Sequence, residues 1–386
     1  MLGLLYCNGM EIFMIYLDYA ANTPVDPSVL EKFCEISRNF YGNPNALHQM
    51  GVDANRQMED ATKKITEILK TEQMEVIYTS GASEANNMAI KGIASAFRDQ
   101  GKHIISTCLE HSSVSAALTY LQSTGYEINL VDIKEDGTVD LNHLRELLRA
   151  DTILVTIGYV DSELGVIQPI ADIAKIVHHH EKCFFHVDAT QAIGKIQPDF
   201  HNIDLITFTP HKFYGLNGMG ILLRNERAVL TPLIHGGSST SIYRSGTPVP
   251  AAAQATAMAL ELAFLNFGER TQKVSNLLSF LKQHLEKYPK VRINSPNGTC
   301  PFILNLSVKG IPAADMQREL DMRGFCISTK SACSVIKLPS RAVFAVTKDK
   351  KNAKCSFRIS LSHLTEIEEL EEFLKAFDAI YKTYDI

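Results

Sequence analysis

The sequence predicts an α/β fold with two domains, a large one over 15–249 and a smaller α+β one over 250–386. The 386 residues provide enough chain for two or three domains. Between about residues 60 and 224, short β-branched apolar runs alternate with longer segments of helical period, which is typical of βαβ units around a mostly parallel sheet flanked by helices. After about residue 250 this alternation gives way to long helices with few strands.

Seven short apolar runs predict the strands of the large domain: Val76–Thr79, His103–Thr107, Ile128–Asp132, Ile153–Gly158, Phe184–Asp188, Ile203–Thr209 and Gly220–Leu223. Helices are predicted between them near 84–98, 112–124, 140–149 and 169–180. In the first helix Ala85, Ala89 and Ile93 recur every four residues and define its buried face. Asn86 is therefore expected on the opposite, polar side.

The smaller domain is predicted to contain helices over 251–267 and 270–288, strands at Phe302–Val308 and Phe357–Leu361, and a last helix. Thr365, with Glu368 three residues later, predicts the start of that helix. The tract from Phe325 to Lys354 lacks sustained periodicity and is predicted to be rich in loops.

Residues 1–14 are interpreted as an extension, and one interpretation is that translation starts at Met14, so that 1–13 are absent from the native protein. The formal charge of -5 argues against a dedicated nucleic-acid binder, and we expect no membrane span, because the apolar stretches are too short. Eight cysteines without a CxxC pair indicate a reducing compartment, which we take to be the cytoplasm. No metal site is predicted.

Chemically active residues follow three of the predicted strands, where ligands of open α/β sheets bind. Ser80–Glu84 joins a strand to a helix and is either a phosphate cradle or an ordinary helix cap. Asp188 either pairs with a cationic ring nitrogen or caps the next helix. Lys212 follows a buried strand, where loss of solvation favours the neutral amine and Schiff-base chemistry with an aldehyde.

Several motifs together resemble the cysteine desulfurases, in the class V branch of the fold-type I pyridoxal-phosphate enzymes. The resemblance covers about residues 15 to 380. Its motifs are Tyr16-Leu-Asp-Tyr-Ala-Ala-Asn-Thr-Pro, Tyr78-Thr-Ser-Gly-Ala-Ser-Glu-Ala-Asn-Asn, Glu110-His111, His186-Val-Asp-Ala-Thr-Gln191, His211-Lys212, Arg244-Ser-Gly-Thr247 and Ser331-Ala-Cys333. The resemblance implies a pyridoxal 5'-phosphate cofactor and a homodimer with its active sites at the subunit boundary.

The resemblance also implies a role for each cofactor residue. Lys212 would bond the cofactor as a Schiff base and later carry the substrate's α-proton. Asp188 would keep the pyridine nitrogen protonated, and His111 would stack on the ring. Gln191 would bind the ring oxygen. Ser162 stands at the position whose side chain also reaches this oxygen in the family. The phosphate would be bound by Ala82, Ser83, Thr209 and His211, with Thr247 of the partner subunit.

For the substrate, L-cysteine, the resemblance implies that Arg358 binds the carboxylate and that Asn43 assists nearby. The thiolate of Cys333 would attack the substrate's sulfur and form a persulfide, and alanine would leave. The sulfur would then pass to an acceptor protein, such as an iron–sulfur scaffold or an enzyme of tRNA thiolation or thiamine synthesis. We expect no direct contact with nucleic acid.

The chain departs from the family at two places. Asp161 and Ser162 stand where the family usually has two asparagines, and Lys330 stands where it commonly has glycine. Because a hydroxyl is shorter than an amide, we hypothesise slower turnover than in relatives. Lys330 would either favour the thiolate of Cys333 or stiffen its loop. The basic residues Lys337, Arg341, Lys348, Lys350, Lys351 and Lys354 either dock an acidic acceptor protein or serve solubility.

The alternatives are a selenocysteine lyase, another class V enzyme, or a weakly active sulfur-delivery scaffold. Among the cysteines, Cys333 is predicted to be the nucleophile. Four others are expected in the core: Cys34, Cys108, Cys183 and Cys300. Cys326 and Cys355 flank the catalytic tract and are left open.

Overall fold

The computed structural model describes residues 3–7, 10–329 and 339–384, with side chains from Met14 onward. Its strands are β1 (Gly3–Cys7), β2 (Met10–Tyr16), β3 (Glu75–Thr79), β4 (His103–Ser106), β5 (Glu127–Leu130), β6 (Thr152–Gly158), β7 (Phe184–Asp188), β8 (Leu205–Phe208), β9 (Gly220–Arg224), β10 (Val291–Ile293), β11 (Ile303–Val308), β12 (Phe325–Cys326) and β13 (Ser356–Ser360).

The α-helices are α1 (Pro27–Asn39), α2 (Gln49–Leu69), α3 (Ala82–Ala96), α4 (Ser112–Ser123), α5 (Leu141–Leu147), α6 (Ile170–His178), α7 (Pro250–Phe264), α8 (Phe267–Leu285), α9 (Ala313–Asp321), α10 (Arg341–Thr347), α11 (Lys350–Lys354) and α12 (Ile367–Thr383). One turn of 3-10 helix, Pro210–Lys212, follows β8.

A seven-stranded sheet is built from the strands between Glu75 and Arg224, in the order β3-β9-β8-β7-β6-β4-β5. The pairs from β8 to β5 are parallel, whereas β9 is antiparallel to both of its neighbours. The sheet is therefore mostly parallel, as predicted. The carboxyl ends of β3, β4, β6, β7 and β8 meet at one edge, and this edge carries the candidate site.

Both faces of this sheet are buried, which explains why its strands are apolar almost throughout. In β4, Ile104 packs in a cluster with residues of α3 and α4, whereas Ile105 packs in the larger cluster on the other face. Residues of α2, α6 and α7 belong to that larger cluster. Neighbouring strand residues thus face opposite helical layers.

The remaining strands form two three-stranded sheets. β10, β11 and β13 are antiparallel, and β2 pairs with β1 on one side and with β12, in parallel, on the other. Through the register of Ile15 with Phe325, the start of the chain joins residues of the C-terminal part.

Three predictions about elements were wrong. The tract after Phe325 contains two helices, α10 and α11, which are too short to show a sustained period. Glu366, not Thr365, caps α12 through a capping box with Glu369, while the Thr365 hydroxyl accepts from the Ser362 amide at 3.1 Å. Asn86 is fully buried and faces the core.

Candidate active site

A cavity of about 340 Å³ lies at the carboxyl edge of the central sheet. It is lined by residues from the ends of β3, β6, β7 and β8, the turn before α4, and β13. Ten of the predicted site residues line it: Ala82, Ser83, His111, Ser162, Asp188, Gln191, Thr209, His211, Lys212 and Arg358. The fold thus brings together residues that span most of the chain.

Other predicted residues do not line this cavity. Asn43 is exposed, and its Oδ1 accepts from the Asn45 amide at 3.0 Å, so it shapes a turn. Thr247 is exposed and outside the lining of its own chain's cavity. Cys333 and Lys330 lie outside the described residues.

Asp188 ends β7 with a carboxylate whose two oxygens are both held. Oδ1 accepts from the Thr190 amide at 2.9 Å, and Oδ2 accepts from Asn86 Nδ2 at 2.8 Å. The first contact is a turn onto the residues after β7, where the structure has turns and no helix for Asp188 to cap, and its pairing with a cationic ring nitrogen stays a prediction. Asn86 was missed as a site residue because a four-residue period placed it on the solvent side.

His111 precedes α4 and is oriented by Ser113. Its Nδ1 accepts from the Ser113 amide at 3.2 Å and lies 2.8 Å from the Ser113 hydroxyl, which in turn accepts from Asn86 Nδ2 at 2.9 Å. Burial lowers the pKa of His111. With Nδ1 accepting, this network assigns the proton of the neutral ring to Nε2.

The same network continues beneath the cavity to His186. The Thr207 hydroxyl donates to Asn86 Oδ1, so it accepts from His186 Nε2 at 3.1 Å. His186 Nδ1 lies 2.7 Å from Thr156 Oγ1. Burial lowers the pKa of His186 to about 4, so this ring is neutral at pH 7 and structural.

The N-terminus of α3 forms one end of the cavity and suits an anion. Gly81 precedes the helix without a side-chain cap, and a Cβ added to it would have no atom within 4 Å. Unpaired backbone amides and the helix dipole both favour an anion at such a position. A Cβ at Gly220 would lie 2.3 Å from Gly81 carbon, so only glycine permits this approach of β9.

Beside that helix end, the Thr209 hydroxyl donates to the Met219 carbonyl at 2.7 Å and lies 2.8 Å from His211 Nδ1. Burial, together with the nearby Lys212 and Lys195 cations, lowers the pKa of His211 to about 4. This end of the cavity therefore combines the backbone amides of the helix start with a hydroxyl and an imidazole. The single Thr209 O–H is given to the Met219 carbonyl in this structure, so the backbone amides are the donors best placed for an anion.

Lys212 follows Thr209 and His211 and directs its amine towards the start of the chain. Its Nζ donates to the carbonyls of Ala20 at 3.1 Å and Ala21 at 2.5 Å. Gln191 Nε2 donates to the same Ala20 carbonyl at 2.8 Å. The amine and the amide are thus held side by side at the cavity wall.

Arg358, on β13, is almost fully buried and is held by groups of its own chain. Its Nη2 donates to Asp18 Oδ1 and its Nη1 to the Ser162 carbonyl, at 2.7 and 2.8 Å. Its buried Nε has no hydrogen-bond partner among the described residues. Asp18 also accepts from the Ser328 hydroxyl at 2.7 Å. The sequence motif contained Asp18, but no period or spacing linked it to a residue 340 positions away.

Two buried carboxyl groups line the same part of the cavity. Burial raises the pKa of Glu110 to about 8 and that of Asp161 to about 7. Glu110 Oε1 accepts from the Thr107 hydroxyl, while its Oε2 has no partner among the described residues. Asp161 Oδ1 accepts from the amides of Glu163 and Leu164. Both carboxyl groups therefore keep a proton to a higher pH than carboxyl groups in water do.

Among the described side chains, six cysteines are unpaired: Cys34, Cys108, Cys183, Cys300, Cys326 and Cys355. Cys183 and Cys300 are buried as predicted, whereas Cys34 and Cys108 are only partly buried and do not belong to the core as expected. Within the described ranges we find no group of three His, Cys, Asp or Glu side chains that could hold a metal ion. None of the helices described is long and apolar enough to cross a membrane.

The chain is similar to known proteins along nearly its whole length. The family model "Aminotransferase class-V" matches residues 15–373. The chain is 35% identical over 371 residues to "Cysteine desulfurase IscS" of Dictyoglomus turgidum, covering 95% of this chain and 94% of that protein. It is also 35% identical over 382 residues to "Cysteine desulfurase, mitochondrial" of Candida albicans, covering 94% and 75%. A solved structure, "NIFS-LIKE PROTEIN", superposes with a TM-score of 0.90 at 33% identity, covering 96% and 100%.

Proposed function

This chain belongs to the cysteine desulfurases of the class V aminotransferase family, and we propose that the cavity at the carboxyl edge of its sheet is where it releases sulfur from L-cysteine. The protein is a pyridoxal-phosphate-dependent cysteine desulfurase. The assignment of individual residues below is our proposal. It is supported most directly by one observation, that Lys212, Asp188, His111 and Arg358 line a single cavity with the uncapped N-terminus of α3.

The residues of the cavity fit the cofactor from end to end. Pyridoxal phosphate, when bound, supplies an electron sink for the bonds at an amino acid's α-carbon. The phosphate would be held at the start of α3 by Ala82, Ser83, Thr209 and His211. Asp188 would pair with the ring nitrogen through the carboxylate that Asn86 and Thr190 orient, and neutral His111 would lie against the ring. Gln191 and Ser162 would face the ring oxygen.

Two residues would act on the substrate directly. Lys212 would hold the cofactor through Nζ and, once displaced by the substrate amine, move the α-proton on the same nitrogen. Arg358 would bind the substrate carboxylate; its Nε is buried without a partner in this structure and would take part only after the guanidinium turns. Because a guanidinium has five donors, Arg358 can keep the Ser162 carbonyl while it exchanges part of its contact with Asp18 for the substrate.

Sulfur transfer would be carried out by Cys333. Its thiolate would attack the substrate's sulfur, the bond from sulfur to the β-carbon would break with its electron pair on carbon, and protonation of that carbon would yield alanine. The described residues on both sides of 330–338 are tied near Arg358: Ser328 donates to Asp18, and the Ser340 hydroxyl donates to Glu163 at 2.5 Å. The described residues that flank the segment with Cys333 are therefore held beside the substrate residues.

The direct test is Cys333→Ser in the loaded enzyme. We expect the absorbance of the lysine-bound cofactor to stay, while alanine and sulfide release from L-cysteine is lost. Cys326→Ser and Cys355→Ser are matched controls, because both thiols flank the same tract, and these variants should release sulfide at the wild-type rate. Retention of sulfur release by Cys333→Ser, or its loss in a control variant, would assign the nucleophile elsewhere.

We also propose a homodimer that completes the site. Leu47, Tyr41 and Ile242 are 98%, 74% and 73% exposed in the single chain, although large apolar side chains are rarely left so accessible. Thr247 is exposed close to Ile242 in sequence and could reach the phosphate end of a partner's cavity. Sedimentation equilibrium of the wild type and of Ile242→Asp tests this; a monomeric wild type contradicts it.

The sulfur acceptor is proposed to be a protein that docks on α10 and α11. Arg341, Lys348, Lys350, Lys351 and Lys354 are exposed there around the partly exposed Phe344. Opposite charge would favour an acidic partner at this basic surface. An iron–sulfur scaffold, a tRNA-thiolation enzyme or a thiamine-pathway protein in the cytoplasm would fit this role.

A further inference from the structure

Lys195 is a buried lysine beside the cavity for which the proposed reaction has no use. It is 5% exposed and follows β7 by seven residues, in the turn that begins at Asp188. Gly194 has φ of 72°, and a Cβ there would lie 3.1 and 3.2 Å from the Cβ atoms of Ala263 and Phe213. The left-handed backbone at Gly194 thus turns the next side chain inward, although burying a lysine is costly.

The Lys195 amine is connected to Lys212 through three hydrogen bonds. Lys195 Nζ donates to Gln191 Oε1 at 2.8 Å, and Gln191 Nε2 donates to the Ala20 carbonyl at 2.8 Å. Lys212 Nζ donates to the same carbonyl at 3.1 Å. Gln191 and Lys195 are four residues apart in a helical turn, so their side chains lie on one side.

These contacts fix which way the Gln191 amide points. At pH 7 the Lys195 amine donates its N–H to the Gln191 amide, so the amide atom that faces Lys195 is the oxygen. A backbone carbonyl only accepts, so the amide atom facing Ala20 is nitrogen. The two constraints agree, and they leave the second N–H of Nε2 without a partner among the described residues, on a side chain that lines the cavity. Gln191 therefore presents a donor to the cavity, which suits an oxygen that carries negative charge.

This role of Lys195 does not depend on its charge. Burial, with the Lys212 and Arg358 cations nearby, lowers the pKa of Lys195 to about 7. The neutral amine still has two N–H bonds and can donate to Gln191 Oε1.

We propose that Lys195 is a positioning residue that locks the Gln191 amide with its remaining N–H towards the cavity, where it recognises an anionic ring oxygen of the bound cofactor. The proposal rests on the proposed function, because it takes the cofactor to be bound beside Gln191. Without Lys195 the amide keeps only its bond to the Ala20 carbonyl, and a rotation that breaks this one bond would present its oxygen, which would repel the ring oxygen.

The test measures the Kd of pyridoxal phosphate for the full-length protein after removal of the cofactor, by absorbance titration. The variants are Lys195→Met, Gln191→Leu and the double variant, with Lys175→Met as the control, since Lys175 is an exposed lysine of α6. Lys195→Met and Gln191→Leu should each weaken binding about tenfold. The double variant should bind as Gln191→Leu does, because Lys195 acts through Gln191.

Several outcomes would overturn the proposal while the desulfurase assignment stands. One is an unchanged Kd for Lys195→Met. Another is that Lys195→Met weakens cofactor binding by the same factor in the wild type and in Gln191→Leu. An unchanged Kd for Gln191→Leu would also remove Gln191 from the cofactor site. A wild type that binds no pyridoxal phosphate would instead contradict the proposed function.

If Lys195→Met does not fold, as thermal unfolding would show, Gln191→Glu replaces it. This variant keeps an acceptor for Lys195 but carries no N–H. It should therefore bind the cofactor about tenfold more weakly than the wild type, and wild-type affinity would overturn the proposal.

Discussion

The two halves of the cavity are held in different ways. The cofactor half consists of Asn86, His111, Ser113 and Asp188, which form one hydrogen-bonded network. In it, both oxygens of Asp188 and both amide atoms of Asn86 already have partners. The substrate half, made of Asp18, Asp161, Ser162 and Arg358, contains an unpartnered guanidinium nitrogen and a carboxyl group with a raised pKa. The first half is organised in advance for a resident group. The second contains polar groups that its own chain leaves incompletely bonded, as a site that exchanges contacts with a ligand would.

The largest effect should come from breaking the cofactor half at its centre. Asn86→Leu keeps the branched shape of the side chain but removes the bonds to Asp188, Ser113 and Thr207. We expect the free energy of unfolding to fall by about 4 kcal/mol, since three buried partners lose a bond at about 1 to 1.5 kcal/mol each. Urea unfolding measures this. Asn87→Leu is the control, because Asn87 is a partly exposed residue of α3 whose side chain bonds only backbone carbonyls. An equal loss there would show that the buried network adds nothing to the cost.

A smaller effect is expected when the internal counterion of the substrate half is removed. Asp18→Asn leaves the Arg358 guanidinium buried without an opposite charge, which should cost about 3 kcal/mol of unfolding free energy. A ligand carboxylate can take the place of Asp18, so L-alanine should raise the Tm of this variant more than that of the wild type. An identical rise in both proteins would contradict the idea that Arg358 exchanges Asp18 for substrate.

The sequence predicted the cofactor half better than the substrate half, and for a physical reason. Asp188 and Lys212 follow strands that carry their own apolar signal, and parallel strands bring such ends to one edge of the sheet. Asp18 and Arg358 meet only because a strand from each end of the chain joins the same region, and no local period encodes that. Asn86 was misplaced because a helix between a sheet and a neighbouring helix is buried on more than the one stripe its small residues indicate.

Asp161, which lies in the substrate half, should make the free energy of unfolding depend on pH. Burial raises its pKa from 3.8 to about 7, so between about pH 4 and 7 the folded protein keeps a proton that the unfolded chain has lost. The wild type therefore loses stability as pH rises through this range, by up to about 1.4 kcal/mol per pH unit from this group. Asp161→Asn lacks the proton, so its free energy of unfolding relative to the wild type should rise by about 2 kcal/mol from pH 5 to 7. Urea unfolding of the cofactor-free proteins measures this, and parallel pH profiles would show that Asp161 ionises normally.

The smallest expected effect concerns the residue next to it. Ser162 accepts a hydrogen bond from Arg358 through its backbone carbonyl, and a side-chain substitution leaves this contact in place. A substitution at Ser162 therefore tests only whether its side chain contacts the cofactor. Ser162→Asn restores the amide usual in the family and should raise kcat for L-cysteine about threefold to tenfold, the value of one added hydrogen bond of about 1 kcal/mol. KM should stay unchanged, because Arg358 keeps its position. A rate equal to that of the wild type would show that Gln191 alone satisfies the ring oxygen and that turnover in this chain is not slowed by its serine.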